Sequence, residues 1–361
     1  MSSVLVRRLV LTNVRSRDEL EVCLGPGLTI LAGLNGAGKT TVLEAAALTL
    51  RGTMLRSGAV RDLIKRGEDH LRIEVDLDVS GVAMTAAAAY SRAGERRLTA
   101  DGAPLDDPSR WRDVLPVRSF VPDDLRLIKG SPRRRREYLD ELAGRCDPEY
   151  APTLRRYDEA LGQRNALLRS RWTSQDGSQF APWERILARS GLEISAWRAT
   201  ALSQFVDAFQ RTHALLTGEA ADSVRLVYRT NVADLDEAAY EARLAENRGA
   251  DQQRTFTHLG PHRDDLRLVR RSLDMRECAS QGEQRTAVLA LVLAEWAYNT
   301  DCSRRALLLL DDVMSELDEE RRRALVDIVG AGGQTIITTT DLRYFLPDEL
   351  VKATVVELLH G

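Results

Sequence analysis

The sequence predicts an α/β fold: a parallel sheet with a glycine-rich loop, joined by a small antiparallel β subdomain and split by a helical insertion. Three observations predict it. Short apolar runs at 28–31 and 306–310 read as buried strands, and the first leads through a glycine-rich turn into a breaker-free helical stretch at 38–50. Residues 71–79 alternate Leu71, Ile73, Val75, Leu77 and Val79 with Arg72, Glu74, Asp76 and Asp78, the pattern of a half-buried strand. From 133 to about 218 the text turns acidic and arginine-rich, with leucines three and four residues apart, a helical spacing.

The remaining elements follow in order. Residues 4–11 are a β-rich run, and 82–90 is a hairpin partner for 71–79 across Ser80-Gly81. After 255 the α/β alternation returns: a helix behind Ser280, a strand at 306–310, a helix at 316–329, and strands at 334–338 and 353–358. The expected organisation is therefore 1–130, the first part of an α/β head with the glycine-rich loop and the antiparallel subdomain; 131–254, a mainly helical insertion; and 255–361, the second part of the head. The insertion's helices read as too short and interrupted for a long coiled coil.

The chain has 361 residues, about two domains' worth at ~150 residues each. With 43% hydrophobic and 29% charged residues it can bury a sizeable core. No run approaches the ~18 apolar residues of a membrane span, and the first residues carry no apolar signal core, so export is not expected. Cys23, Cys146, Cys278 and Cys302 lie far apart with no CxxC pair, which argues against a zinc ribbon or disulfide framework and for a cytoplasmic location. The net charge of −3 excludes a uniformly basic coat, but the charge is uneven. Residues 126–136 hold six cations and no acid, while 311–320 hold six acids and no cation.

The strongest motif is Gly33-Leu34-Asn35-Gly36-Ala37-Gly38-Lys39-Thr40, followed by Thr41, which fits GxxxxGK[ST] between a strand and a helix. Glycines let successive N–H groups point into one concavity at a helix N-terminus, which suits phosphate. Lys39 is then placed for the β- and γ-phosphates of a nucleotide and Thr40 for Mg²⁺, which by itself leaves kinases, GTPases, helicases and transport ATPases open. The second motif is Leu307-Leu308-Leu309-Leu310-Asp311-Asp312, a buried strand ending in paired carboxylates. Asp311 is placed to hold Mg²⁺ and Asp312 to orient or deprotonate water.

Ser280-Gln281-Gly282-Glu283-Gln284-Arg285 opens a helix with a capping-box pattern. Its serine, glycine and helix dipole have the composition of an ABC-type signature, with Ser280 and Gly282 gripping a nucleotide bound to a second protomer. Ser315-Glu316-Leu317-Asp318 stands at D-loop spacing, and Thr338-Thr339-Thr340 ends a strand where hydroxyls can sense a γ-phosphate. His258 and His262 are four apart, but Gly260-Pro261 breaks any helix between them, which argues against a metal pair.

Together with Leu9-Val10-Leu11-Thr12-Asn13-Val14-Arg15, Lys129-Gly130-Ser131-Pro132 and Gly260-Pro261-His262-Arg263-Asp264-Asp265-Leu266, these motifs resemble the RecF family nearly end to end. That family comprises recombination-repair ATPases related to SMC proteins. The resemblance implies an ABC-type ATPase head and a weak, DNA-dependent ATPase that forms an ATP-gated homodimer around two nucleotides. It also implies binding at single-strand/double-strand junctions, slow hydrolysis as a release switch, and work with RecR and RecO to place RecA on gapped DNA. Val14 stands where the family usually has an aromatic residue, and Thr41 where it often has Asn. Neither removes a phosphate or metal ligand.

The candidate DNA contacts are Lys129, Arg133, Arg134, Arg135 and Arg136, with Arg61, Lys65 and Arg66 next. Two other readings stay open. One is an SMC-like architectural ATPase, against which stand the roughly 240 residues between loop and signature, few for a long arm. The other is a transporter's nucleotide-binding subunit, against which stand the missing Gly-Gly signature and switch histidine.

Overall fold

The computed structural model describes residues 4–56, 58–105, 115–170, 177–301 and 306–359, so Cys302 lies outside the described residues. The chain divides into two compact units: Met1–Asp124, Arg211–Ala220 and Arg285–Gly361 form the first, and Leu125–Gln210 with Ala221–Gln284 the second.

In the first unit, an antiparallel sheet takes the order β2-β1-β4-β5-β6-β7 from β1 (Val4–Val14), β2 (Arg17–Cys23), β4 (His70–Val79), β5 (Val82–Ser91), β6 (Arg96–Ala100) and β7 (Ala103–Pro104). A five-stranded parallel sheet takes the order β14-β3-β13-β12-β8 from β3 (Leu28–Ala32), β8 (Val117–Phe120), β12 (Leu307–Leu310), β13 (Thr335–Thr339) and β14 (Thr354–Glu357). The helix Lys39–Arg51 packs against β1, β4 and β5 and also against β8 and β13. Being covered on both sides, it has no polar face: Val42, Leu43, Ala45, Ala46, Ala47 and Leu50 are all fully buried. All four leucines of β12 are likewise buried, as a strand flanked by parallel neighbours requires.

The second unit contains the helices Pro132–Cys146 and Tyr150–Arg169 and most of Ala181–Thr217. The last runs 37 residues, about 55 Å at ~1.5 Å per residue, longer than the interrupted pattern predicted. A three-stranded sheet joins β9 (Val224–Arg229), β10 (Asp265–Arg270) and β11 (Leu273–Asp274). Its pairing moves the expected boundary. Six residue pairs, from Arg229 opposite Asp265 to Val224 opposite Arg270, tie β10 to β9, so 255–284 belongs with the insertion instead of the head. Strand β9 itself lies in the stretch read as helical.

Two buried arginines hold this unit together. Arg164 Nη1 donates to Asp251 Oδ2 (2.7 Å) and Thr257 Oγ1 (2.7 Å), and its Nη2 to Leu244 O (2.8 Å). Arg198 Nη1 donates to Asp264 Oδ2 (2.9 Å) and Pro261 O (2.8 Å), and Nη2 to Asp140 Oδ1 (2.6 Å). Removing one partner from such a pair strands a buried charge. The segment 260–266 is thus a structural knot. Gly260 sits at φ 132°, and a Cβ there would lie 2.3 Å from both the Tyr157 and Tyr240 hydroxyls.

His262 Nε2 lies 2.8 Å from Thr257 O and Nδ1 lies 2.6 Å from the Tyr157 hydroxyl, so the neutral ring donates to the first and accepts from the second. Burial lowers its pKa to about 4. The unfolded chain therefore takes up this proton first. The stability it withholds is fully present above about pH 6.5 and is lost as pH falls toward 4, by roughly 3 kcal/mol. Urea denaturation across that window should show His262→Gln with a shallower loss of stability on acidification than the native chain.

Candidate functional site

Loop 33–38 leaves β3 at the carboxyl edge of the parallel sheet, where ligands gather in open α/β folds. Its glycines answer to geometry. A Cβ on Gly33 would lie 2.7 Å from Leu358 O and 3.1 Å from Ala37 Cβ, and Gly36 and Gly38 have φ of 85° and 93°. Lys39 is 8% exposed, and its Nζ donates to Gly33 O (2.6 Å) and Leu34 O (3.0 Å) across the loop. Burial pulls this ammonium below the usual lysine range, while Asp312 and Asp311 act in the opposite direction. Thr41 is buried. Leu34, by contrast, is 69% exposed.

The paired carboxylates arrive from β12. Thr40 Oγ1 lies 2.9 and 3.2 Å from the two oxygens of Asp311, although 271 residues separate them. Asp311 is 3% exposed and takes two further donors: Thr338 Oγ1 (2.9 Å) and Arg56 Nη2. Thr338 also accepts from the Asp312 N–H (2.8 Å), so one hydroxyl at the end of β13 fixes both carboxylate residues. Thr339 is spent on its own turn, bonded to Asp341. Thr338 thus positions both carboxylate residues, while Thr340, the third hydroxyl expected to sense a phosphate, is exposed. Arg56 was not visible in the sequence reading, because it stands in a loop with no motif.

Asp312 has φ 49° and ψ 30°, a left-handed conformation that costs a non-glycine residue about 1 kcal/mol. Its Oδ1 is buried without a hydrogen-bond partner. Burial raises its pKa above the usual carboxylate range, and the charge of Asp311 adds to the rise. A carboxylate with a raised pKa and an unpartnered oxygen is a candidate proton acceptor. Asp318 caps the helix Glu319–Gly330 by accepting from Arg321 N (2.9 Å).

Mg²⁺ needs oxygen donors and takes one or two carboxylates together with phosphate oxygens and water. Thr40 Oγ1 and Asp311 are such a pair, and they fit. Among the described residues no cluster of three His, Cys, Asp or Glu forms a separate metal site. His258 Nδ1 pairs with Asp251 and His262 with Tyr157, so the two histidines face different partners.

Ser280 and Gly282 belong to the second unit, and both are exposed. The capping box forms: Ser280 N donates to Glu283 Oε2 (2.7 Å), and Glu283 N to Ser280 Oγ (3.3 Å). The basic run does not survive intact as a surface. Arg135 is 1% exposed, and its guanidinium is spent on Asp265 (2.6 Å) and Gly130 O (2.9 Å), so it is a core residue. Arg136 is half-buried and donates to Asp264 O. Arg133 is exposed but paired with Glu137, and Lys129 is exposed. Lys65 pairs with Asp18, while Arg61 and Arg66 are exposed.

The description "RecF/RecN/SMC N terminal domain" belongs to a family model that matches residues 5–355. The DNA replication and repair protein RecF of Heliobacterium modesticaldum is 33% identical over 99% of this chain and 98% of its own. The chain belongs to the RecF family. RecF of Herpetosiphon aurantiacus is 34% identical, again over 99% of this chain and 98% of its own. A solved RecF, described as a recombination mediator protein with ATP in the RecFOR pathway, superposes with a TM-score of 0.80 at 26% identity, covering 94% of this chain and 92% of that one. The SMC head bound to the C-winged helix domain of ScpA shares the fold alone, with a TM-score of 0.57 at 16% identity over 93% of this chain and 90% of that one. The fold is accordingly that of the RecF and SMC heads, with a parallel sheet, an antiparallel sheet and a helical region.

Thr338→Val should leave Asp311 one donor short and the Asp312 N–H unpaired, lowering unfolding free energy by about 1–3 kcal/mol. Thr338→Ser should retain most of that stability. Urea denaturation of the two variants checks the difference.

Proposed function

We propose that this RecF-family chain is an ATP-gated DNA-binding protein of recombinational repair whose slow hydrolysis serves as its release switch. The observation that carries the reading is the meeting of Lys39, Thr40, Asp311 and Asp312 at one loop on the sheet's carboxyl edge. The relative solved with ATP in the RecFOR pathway supports it.

In this reading the N–H groups of 33–40 cradle the phosphates of ATP, with Thr41 beside them, and Lys39 places its charge on the β- and γ-phosphates. Thr40 and Asp311 would hold Mg²⁺, which would neutralise phosphate charge. Asp312 accepts the proton of the attacking water. Ser280 and Gly282 of a second copy complete the site, so ATP joins two protomers and hydrolysis parts them. Junction and gapped DNA are the substrates, RecR is a direct partner, and RecO and RecA act in the same pathway. The protein works in the cytoplasm, away from membranes; among the described residues no helix is long and apolar enough to cross one.

The DNA contacts are drawn from Lys129, Arg133, Arg134, Arg61 and Arg66, since burial removes Arg135. Arg133 is already paired with Glu137, which makes Lys129 and Arg134 the stronger candidates. Asp312→Asn tests the switch. With ATP it should bind gapped duplex as the native chain does and dissociate at least ~100-fold more slowly, because an amide fits the site but takes no proton. Fluorescence anisotropy with a chase of unlabelled DNA measures this, and equal dissociation rates would refute the role given to hydrolysis.

A further inference from the structure

We propose that Arg17 is a second cation of the nucleotide site, acting on the α-phosphate at the nucleoside end of the loop. The inference rests on the nucleotide reading above and adds a residue to it. No motif marks Arg17, which opens β2 directly across the hairpin from Val14. Its guanidinium lies against the loop: Nη2 donates to Ala37 O (2.9 Å) and also to Leu359 O. Its Nε is buried and has no hydrogen-bond partner, and it stands 3.8 Å from where a Cβ on Gly38 would be. A buried N–H on a charged group, unused and next to the left-handed glycine of a phosphate loop, is a donor waiting for an anion.

The sheet order says which end of the nucleotide that anion belongs to. Along the carboxyl edge the strands run β14-β3-β13-β12. Leu359 follows β14, the loop follows β3, Thr338 is the last but one residue of β13, and Asp311 follows β12. Arg17 therefore lies on one flank of the loop, and the carboxylates lie on the other. The carboxylates mark the terminal phosphate, where water attacks. A nucleotide laid across the loop then has its nucleoside end toward Arg17, and the phosphate at that end is the α-phosphate. Lys39 and Arg17 would divide the triphosphate between them, Lys39 at its β- and γ-groups and Arg17 at the group that ATP, ADP and AMP share.

Isothermal titration of ATP and ADP against the full chain and two variants tests this, with melting temperatures recorded without nucleotide. Arg17→Gln keeps an N–H donor but no charge, and it should weaken ATP and ADP by the same factor, about 10-fold. Arg17→Lys keeps the charge and should stay within about 3-fold of the native chain. The nucleotide-free melting temperatures report the loss of the bonds to Ala37 O and Leu359 O, and all titrations are run well below them. The proposal fails if Arg17→Gln binds both nucleotides normally, or if only ATP is weakened, which would move the contact to the γ-phosphate. It also fails if Arg17→Lys loses as much affinity as Arg17→Gln, which would make Arg17 a tie between the loop and residue 359 and not a charge on the nucleotide. A native chain that binds neither nucleotide would overturn the nucleotide reading itself, a result no Arg17 variant can produce.

Discussion

A carboxylate sealed from water must be compensated, and Asp311 is the case around which the head is arranged. At 3% exposure it cannot rely on solvent, so it draws donors from three distant places: Thr40 behind β3, Thr338 at the end of β13, and Arg56 in the loop after the first helix. Each donor fixes one segment relative to the carboxyl edge of the sheet. Through Thr338 the same bond set holds Asp312 in a left-handed conformation with one oxygen unpartnered. The electrostatics of the site follow from this enclosure: burial pushes Asp312 up and Lys39 down, and the charges of the aspartates hold part of the lysine's shift in check.

What was legible in the sequence was what is encoded locally. The loop announces itself because a tight turn needs glycines at fixed offsets, and β12 because a strand covered on both faces must be apolar throughout. The capping box at Ser280 is equally local, with both of its bonds within four residues. The parts that were not legible depend on pairing between segments far apart in the chain. Strand β9 has no meaning until β10 lies beside it, and that partnership takes 255–284 out of the head. Charge runs mislead for the same reason. Arg133 to Arg136 look equivalent in sequence, yet Arg135 faces inward to Asp265, a residue 130 positions away.

The segment 260–266, read first as a family marker, acquires a physical role. Arg198 gathers Asp140, Asp264 and Pro261 O, while His262 and Gly260 pack under Tyr157 and Tyr240. These contacts leave no ring nitrogen of His262 for a metal, since both are already engaged. The buried polar residues of this segment are thus spent on holding the second unit together.

In the proposed mechanism a working site needs the phosphate loop of one copy and the signature of another. Mixing two inactive variants tests it most directly. Lys39→Ala lacks the loop's charge but keeps Ser280, and Ser280→Arg keeps the loop but blocks the signature, so only a mixed pair contains one intact composite site. ATP turnover in the mixture should be well above the sum of the two variants measured alone. Turnover no greater than that sum, with both variants folded, would contradict it.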